Sequence, residues 1–226
     1  ASSGTAFSTG IKTNNRALGI DVNGQPIENI TETLDKSGYV SSVISTSEVT
    51  HATPAAFVVH TSSRYLSDEI SIQMADSKIK NILGGGRKFF IPEENGGNRE
   101  DGIQLLEKVK ANSILITDKS ELGNPARYGD NQVFGLFADE HLRDENTPEN
   151  HSTEPSIKKM LEFSVNRSKK FVENGCKGFF VMAEASQVDW AGHGNDFEYL
   201  MREMTDLEDG IKWALNFAKK NKDTLV

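Results

Sequence analysis

Gly178-Phe179-Phe180-Val181-Met182 is a continuous apolar run, rich in aromatic and β-branched residues. This composition is typical of a buried strand in a parallel sheet, and we expect the strand to end at Glu184. Ligands gather at the carboxyl ends of such strands. The polar residues that follow Met182 are therefore candidate functional residues.

The rest of the chain alternates strand-like and helix-like patterns. Strands are predicted at 40–45, 79–83, 114–116, 133–136 and 179–182, and helices at 30–36, 53–63, 103–111, 157–173 and 198–219. Polar stretches at 93–101, 124–132 and 144–153 are predicted loops. This alternation indicates an α/β fold with a mostly parallel central sheet flanked by helices. We expect residues 1–226 to form a single α/β domain.

Glu184, Asp189 and His193 follow the apolar strand within residues 182–195. Asp189 and His193 are four residues apart, so one helical turn would place a carboxylate and an imidazole on one face, able to bind one ion. A bend after Glu184 would let the segment serve two neighbouring cations. Two-metal sites stabilise the entering and leaving oxygens of a phosphoryl group in this way. The spacing alone fits equally well a solvated loop with incidental charges.

A second segment, residues 49–64, combines helix-start residues with polar side chains. Pro54 suits the first turn of a helix and Thr53 suits its N-cap, so we predict a helix that runs to Ser63, with Arg64 at its far end. His51 and Thr53 flank one residue just before that helix. A ring nitrogen and a hydroxyl can face the same ion there.

These two segments resemble motifs of one enzyme family. The patterns V-T-H-A-T-P-A-A-F (49–57), with Arg64 eleven residues after Thr53, and M-A-E-x-S-Q-V-D-W-A-G-H (182–193) resemble the alkaline phosphatases. Ile82-Leu83-Gly84-Gly85-Gly86-Arg87-Lys88-Phe89-Phe90 resembles that family's glycine-rich strand end, and Thr153-Glu154-Pro155-Ser156 its helix start before the metal-binding strand. The resemblance extends over the whole chain.

The resemblance implies hydrolysis of phosphate monoesters through a phosphoserine intermediate, with two Zn²⁺ ions and one Mg²⁺ ion as cofactors. Asp189 and His193 would bind one zinc ion, and the second zinc ion would have no ligand in this sequence. Arg64 would hold the substrate phosphate through its planar fork of donors. The residues implied for the third-metal site are His51, Thr53 and Glu184.

The first residues resemble the helix that follows the nucleophilic serine in this family, where an Asp-Ser pair directly precedes the residue matching Ala1. Aligning residues 9–13 with the family places Ser2 and Ser3 inside that helix, so neither is favoured as the nucleophile. Residues 215–226 resemble the helix and strand that lead to the family's later Asp-His ligands. The resemblance thus implies a chain truncated at both ends, which lacks the nucleophile and is inactive alone.

Two positions depart from the enterobacterial pattern of this family. His51 stands where that pattern has Asp, and Trp190 stands where it has Lys; the pair resembles a group of bacterial members that includes cold-adapted enzymes. Imidazole suits zinc better than magnesium, so we expect His51 to make zinc more competitive at the third site. Trp190 offers only an indole N–H in place of a charge, so we expect weaker retention of phosphate.

Composition narrows the class of protein. The 25 basic and 33 acidic residues give a net charge of -8, which argues against a nucleic-acid-binding surface. No apolar stretch approaches the ~18 residues of a membrane helix. One cysteine, Cys176, excludes an internal disulfide. Packing or hydrogen bonding is favoured over metal binding for His60, His141 and His151.

Partners and location are implied only by the resemblance: small phosphate monoesters, a possible homodimer, and a periplasmic or secreted protein.

Two alternatives to the alkaline phosphatase function stay open. One is another hydrolase of the same superfamily, such as a phosphodiesterase or a sulfatase-like enzyme, and the other is a non-catalytic metal-binding module. The residues encoded before Ala1 separate the module from the enzyme, because only the enzyme requires Asp-Ser there.

Overall fold

The central sheet is fully parallel in the computed structural model, which describes residues 1–143 and 153–226. The strands within these residues are β1 (Tyr39–Glu48), β2 (Asn81–Gly85), β3 (Ile114–Ile116), β4 (Val133–Leu136) and β5 (Gly178–Glu184). Their order across the sheet is β3-β4-β2-β1-β5, and each neighbouring pair runs parallel. The predicted α/β fold is confirmed, and β5 ends at Glu184 as expected.

Helices connect the strands and pack against the sheet. In the described ranges they are α1 (Ser2–Thr9), α2 (Ile30–Lys36), α3 (Ala52–Ala56), α4 (Ser67–Ala75), α5 (Leu105–Asn112), α6 (Ile157–Glu173), α7 (Gln187–Gly194) and α8 (Phe197–Lys220). Short 3-10 helices lie at Arg87–Phe90, Glu93–Asn95, Lys119–Gly123 and Pro125–Tyr128. None of the helices in these ranges is long and apolar enough to cross a membrane. The predictions for α2 and α6 match the observed ends, whereas α4 falls outside every predicted helix.

Alternate residues of the central strands face two separate apolar clusters. Val43 of β1 and Ile82 of β2 pack with apolar side chains of α3 and α4. Their neighbours Ile44 and Leu83 pack with side chains of α6. Successive side chains of a strand point to opposite faces of the sheet, so helices cover both faces and β2 is buried along its whole length.

The predicted helix at 53–63 is wrong at both ends. α3 covers only Ala52–Ala56, and its N-cap is His51 rather than Thr53. Beyond α3 the chain pairs with a distant segment: Thr61 N–H donates to the Leu18 carbonyl over 2.8 Å, and Leu18 N–H donates to the Thr61 carbonyl over 3.0 Å. A longer helix would need the same backbone groups, so the tertiary pairing overrides the local helix preference.

The carboxyl ends of β1, β2 and β5 meet at one edge of the sheet. Ser45 of β1 pairs with Glu184 of β5, and Glu48 of β1 pairs with Gly85 of β2. α3 begins shortly beyond β1, and α7 begins shortly beyond β5. The two segments that carry the candidate site residues therefore come together at this edge.

Candidate metal site at the carboxyl edge of the sheet

His51 and Arg64 are joined by a hydrogen bond beside the start of α3, with Arg64 in the loop before α4 rather than at a helix end. Arg64 Nη2 donates to His51 Nε2 over 2.6 Å. Burial and the Arg64 charge lower the pKa of His51 to about 4. The ring is therefore neutral at pH 7, the state in which imidazole binds metal ions.

The second ring nitrogen of His51 also bears on metal binding. Nδ1 is buried and has no hydrogen-bond partner among the described residues. A buried polar atom without a partner is unfavourable, and native structures usually supply one. Nδ1 is therefore suited to bind a group that the described residues do not include, such as a metal ion.

Glu184, the last residue of β5, is held by hydroxyl groups. Its Oε2 atom accepts hydrogen bonds from Ser186 Oγ at 2.8 Å and from Ser45 Oγ at 3.1 Å. The two hydroxyl oxygens are 2.9 Å apart, and both serines are buried. The hydroxyls orient the carboxylate without neutralising its charge, as the outer partners of metal ligands do.

α7 places Asp189 and His193 one turn apart on the same face, as their spacing predicts. Asp189 Oδ2 lies 3.6 Å from His193 Nε2, and the two side chains are 74% and 80% exposed. A carboxylate and an imidazole in this arrangement can bind one ion together. Their exposure leaves room for a third ligand from another segment.

The two segments contact each other at this edge. The ring centroids of His51, just before α3, and Trp190 of α7 are 5.7 Å apart. Arg64 and Asp189 are among the charges that act on His51. Opposite charges and metal-ligand side chains thus lie in one place.

α1 lies directly against the first turn of α3. Ser8 Oγ donates to the Ala56 carbonyl over 2.7 Å, and a Cβ atom on Gly4 would lie 3.5 Å from Thr53 Cα. Thr53 is half-buried beneath this contact. Ser2 and Ser3 lie inside α1, as the alignment of the first residues predicts.

A complete metal-binding cluster is not formed by the described side chains. Within residues 1–143 and 153–226, no group of three or more His, Cys, Asp or Glu residues could hold a metal ion. Asp189 with His193 and Glu184 with its two serines are partial ligand sets. The assignment of these residues, together with His51 and Thr53, as metal ligands stays a prediction.

Glu48 and His141 also lie at this edge, although neither is among the predicted site residues. Glu48 N–H donates to His141 Nδ1 over 3.1 Å, and the rings of His141 and Trp190 are 4.3 Å apart. Burial and Glu140 raise the pKa of Glu48 to about 7, while burial lowers the pKa of His141. A position at the end of a strand is a sequence signal that could have identified Glu48 as a site residue. His141 is separated from β4 by a loop, so no such signal identifies it.

The remaining predicted bystanders differ in outcome. His60 makes hydrogen-bond contacts through both ring nitrogens, to the Gly19 carbonyl at 2.6 Å and to the Glu32 carboxylate at 3.0 Å. His60 is therefore a hydrogen-bonded histidine in the structure, which is one of the two roles predicted for it. His151 lies outside the described residues.

Comparisons with known proteins agree on one family. The family model "Alkaline phosphatase" matches residues 1–226. Alkaline phosphatase 4 of Bacillus subtilis is 39% identical over 100% of this chain and 47% of its own length, and the Escherichia coli alkaline phosphatase is 27% identical over 100% of this chain and 56% of its own. The chain thus spans about half the length of the curated relatives it matches.

Solved structures give the same result. The alkaline phosphatase of the Antarctic bacterium TAB5 is 33% identical with a TM-score of 0.82, covering 98% of this chain and 61% of its own. A variant of that protein with Mg bound aligns with a TM-score of 0.80 at 32% identity, covering 98% of this chain and 60% of its own.

Proposed function

The chain belongs to the alkaline phosphatase family, and on that premise we propose that it forms part of the active site of a metal-dependent phosphomonoesterase that works through a phosphoserine intermediate. One observation carries the proposal. Arg64 is hydrogen-bonded to His51, the ring of Trp190 in α7 contacts His51, and Glu184 ends β5 at the same carboxyl edge of a parallel sheet. Cation-binding and anion-binding groups therefore stand side by side, as hydrolysis of a phosphate ester requires.

Arg64 is proposed to bind the phosphoryl oxygens. Its guanidinium carries several donors, of which one already contacts His51. A planar fork of donors binds phosphate in a bidentate manner that lysine cannot match. The first backbone N–H groups of α1 lie near the same place and would add hydrogen bonds, because a helix N-terminus favours anions.

We assign the metal ligands as the sequence predicts: Asp189 and His193 for one zinc ion, and His51, Thr53 and Glu184 for the third-metal site. The neutral ring of His51, its unpartnered nitrogen and the charged, hydroxyl-held carboxylate of Glu184 support this assignment. Two zinc ions and one magnesium ion, when bound, would act as Lewis acids toward the phosphoryl and leaving-group oxygens. The relative with Mg bound is in keeping with the magnesium site.

The nucleophilic serine and the remaining ligands are proposed to lie in segments outside these 226 residues. The curated relatives are about twice as long as this chain, which leaves ample sequence to supply them. By this proposal the isolated chain holds part of a site and does not turn over. Export of the complete protein and a homodimeric state are further expectations from the family, and gel filtration would test the second.

An activity assay tests the proposal. The complete protein that contains these residues is expected to hydrolyse p-nitrophenyl phosphate with zinc and magnesium, and Arg64→Ala is expected to weaken this activity. Bis(p-nitrophenyl) phosphate and p-nitrophenyl sulfate serve as matched substrates for the phosphodiesterase and sulfatase alternatives, and should react much more slowly. Saturable activity of the isolated chain, or a preference for either alternative substrate, would contradict the proposal.

A further inference from the structure

The loop at residues 138–142 is tied firmly to the sheet edge that carries the proposed site. Gly86 N–H donates to the carbonyls of Ala138 and Glu140, at 3.1 and 2.6 Å, and Leu142 N–H donates to the Thr46 carbonyl at 3.1 Å. A Cβ atom on Gly85 would overlap the Glu140 carbonyl oxygen. The backbone of this loop is therefore fixed by its contacts with the ends of β1 and β2, and so are the Cα positions from which its side chains extend.

Within this loop, His141 has a defined ring orientation. Its Nδ1 atom accepts the Glu48 N–H at 3.1 Å and stands 3.7 Å from the Glu48 carboxylate. In the neutral ring Nε2 then carries the proton, because the state of one nitrogen sets the state of the other. The side chain is 38% exposed, so its ring borders the open side of the site.

His141, Trp190 and His51 form a cluster of three rings in mutual contact, called here the three-ring cluster. Ring centroids are 4.3 Å apart for His141 and Trp190, and 5.7 Å apart for each of the two pairs that include His51. Both contacts to His51 are edge-to-face, with interplanar angles of 88° and 85°. Two adjacent rings thus pack against His51 and restrict the tilt of its plane.

The plane of His51 matters because its Nε2 atom accepts the hydrogen bond from Arg64 Nη2 at 2.6 Å. A hydrogen bond to a ring nitrogen is directional. A tilt of the His51 ring would therefore turn the guanidinium and misdirect its remaining donors. The orientation of Arg64 depends, through His51, on the rings that pack against His51.

We propose that His141 is a positioning residue of the phosphate site, which holds Trp190 and His51 in place and through them keeps Arg64 aimed at phosphate. This inference rests on the function proposed above. His141 itself need not touch the substrate. Removal of the His141 ring should weaken phosphate binding and leave the chemical step largely intact. The orientation of the Arg64 guanidinium is lost, whereas every group that reacts is kept.

Two substitutions separate the ring contact of His141 from its hydrogen bond. His141→Phe keeps a ring against Trp190 but loses the acceptor for Glu48 N–H, whereas His141→Asn can keep an acceptor but loses the ring. His141→Ala is a second deletion of the ring. His60→Gln is a matched control, since His60 is a hydrogen-bonded histidine whose contacts are to Gly19 and Glu32.

The measurements are kcat, KM and inhibition by inorganic phosphate in the complete, metal-loaded protein, with thermal unfolding as a check of folding. For His141→Asn and His141→Ala we expect the inhibition constant of phosphate to rise about three- to tenfold, from the typical strength of aromatic pairs. We expect kcat to change less than about twofold in both. His141→Phe and His60→Gln should stay near the wild-type inhibition constant.

A double substitution tests the route through Trp190. In a Trp190→Ala background, His141→Asn should weaken phosphate binding by a smaller factor than it does alone, because the part of its effect that passes through Trp190 is already lost and only its direct contact with His51 remains. Independent effects that multiply, or unchanged phosphate inhibition in both ring deletions, would overturn the inference while leaving the proposed function standing. Absence of phosphatase activity in the wild-type complete protein would overturn both.

Discussion

Removal of one serine hydroxyl beside Glu184 should weaken metal binding by an amount that the structure lets us estimate. Ser186 Oγ donates to Glu184 Oε2 over 2.8 Å, and a hydrogen bond to a charged group is worth about 1.5–3 kcal/mol. Ser45 Oγ, 3.1 Å from the same oxygen, can still donate after Ser186→Ala. We therefore expect the low end, about 1.5 kcal/mol, which is roughly a tenfold loss of metal affinity.

Isothermal titration of zinc and magnesium into the chelator-treated complete protein measures this loss. Ser45→Ala combined with Ser186→Ala removes both donors and should approach the ~100-fold loss seen when outer partners of metal ligands are deleted. Ser37→Ala is the matched control, because that hydroxyl donates to the Thr33 carbonyl in α2. Unchanged metal affinity in the double variant would show that Glu184 is not a metal ligand oriented by these serines.

Four further predictions concern other residues of the site and of the sheet edge, and comparison substitutions accompany two of them. Trp190→Lys adds a charge but also removes the ring that packs against His51, so it is compared with Trp190→Leu, which removes the ring alone. Phosphate inhibition of the complete enzyme should be about fivefold tighter in Trp190→Lys than in Trp190→Leu, since an exposed charge pair is worth up to about 1 kcal/mol; equal inhibition would count against the expected effect of the charge. Arg64→Lys should raise KM for an aryl phosphate about tenfold by removing the bidentate fork, and a KM within twofold would contradict that role. In the metal-free protein Glu48 should lower the free energy of unfolding as pH rises from about 4.5 to about 7, because the unfolded chain ionises Glu48 near its ordinary pKa of 4.5 while the folded state keeps it protonated up to about 7. Burial lowers the pKa of His51 to about 4 and also lowers the pKa of His141, so these two rings act in the opposite direction over the same range. Urea titrations should therefore find that the free energy of unfolding rises more steeply with pH in Glu48→Gln than in the unsubstituted protein, and an equal slope would refute this role of Glu48. Gly85→Ala should lose about 1–3 kcal/mol of stability by overpacking against the facing loop, whereas Gly123→Ala, with no atom within 4 Å of the added Cβ, should change it by less than about 0.5 kcal/mol.

Local sequence patterns were sufficient to predict the strands of the sheet and the longest helices. The apolar run before Glu184 identifies β5, and the residues around Asp189 and His193 form a helical turn because four-residue spacing is a local property. The end of α3 could not be predicted in the same way. The backbone of Thr61 pairs with that of Leu18 instead of continuing the helix. Leu18 is far away in sequence, so no local pattern reveals this pairing.

The candidate site likewise has residues that the sequence identifies and contacts that it does not. His51, Thr53 and Arg64 stand in one recognisable motif, so their residue types could be selected before their geometry was known. The contact of Glu48 with His141 joins residues 93 positions apart, and the Ser45 contact with Glu184 joins residues 139 positions apart. Such contacts depend on strand order and loop anchoring, which the sequence patterns do not specify.

Anomalous diffraction at the zinc edge, from crystals of the complete protein, would show where these side chains bind metal. We expect one metal peak about 2.0–2.2 Å from ligand atoms of Asp189 and His193. We expect a separate metal position bounded by His51, Thr53 and Glu184, with the Arg64 guanidinium facing the space between the two metals. Metal peaks remote from all five ligand side chains would show that the proposed ligand assignment is wrong.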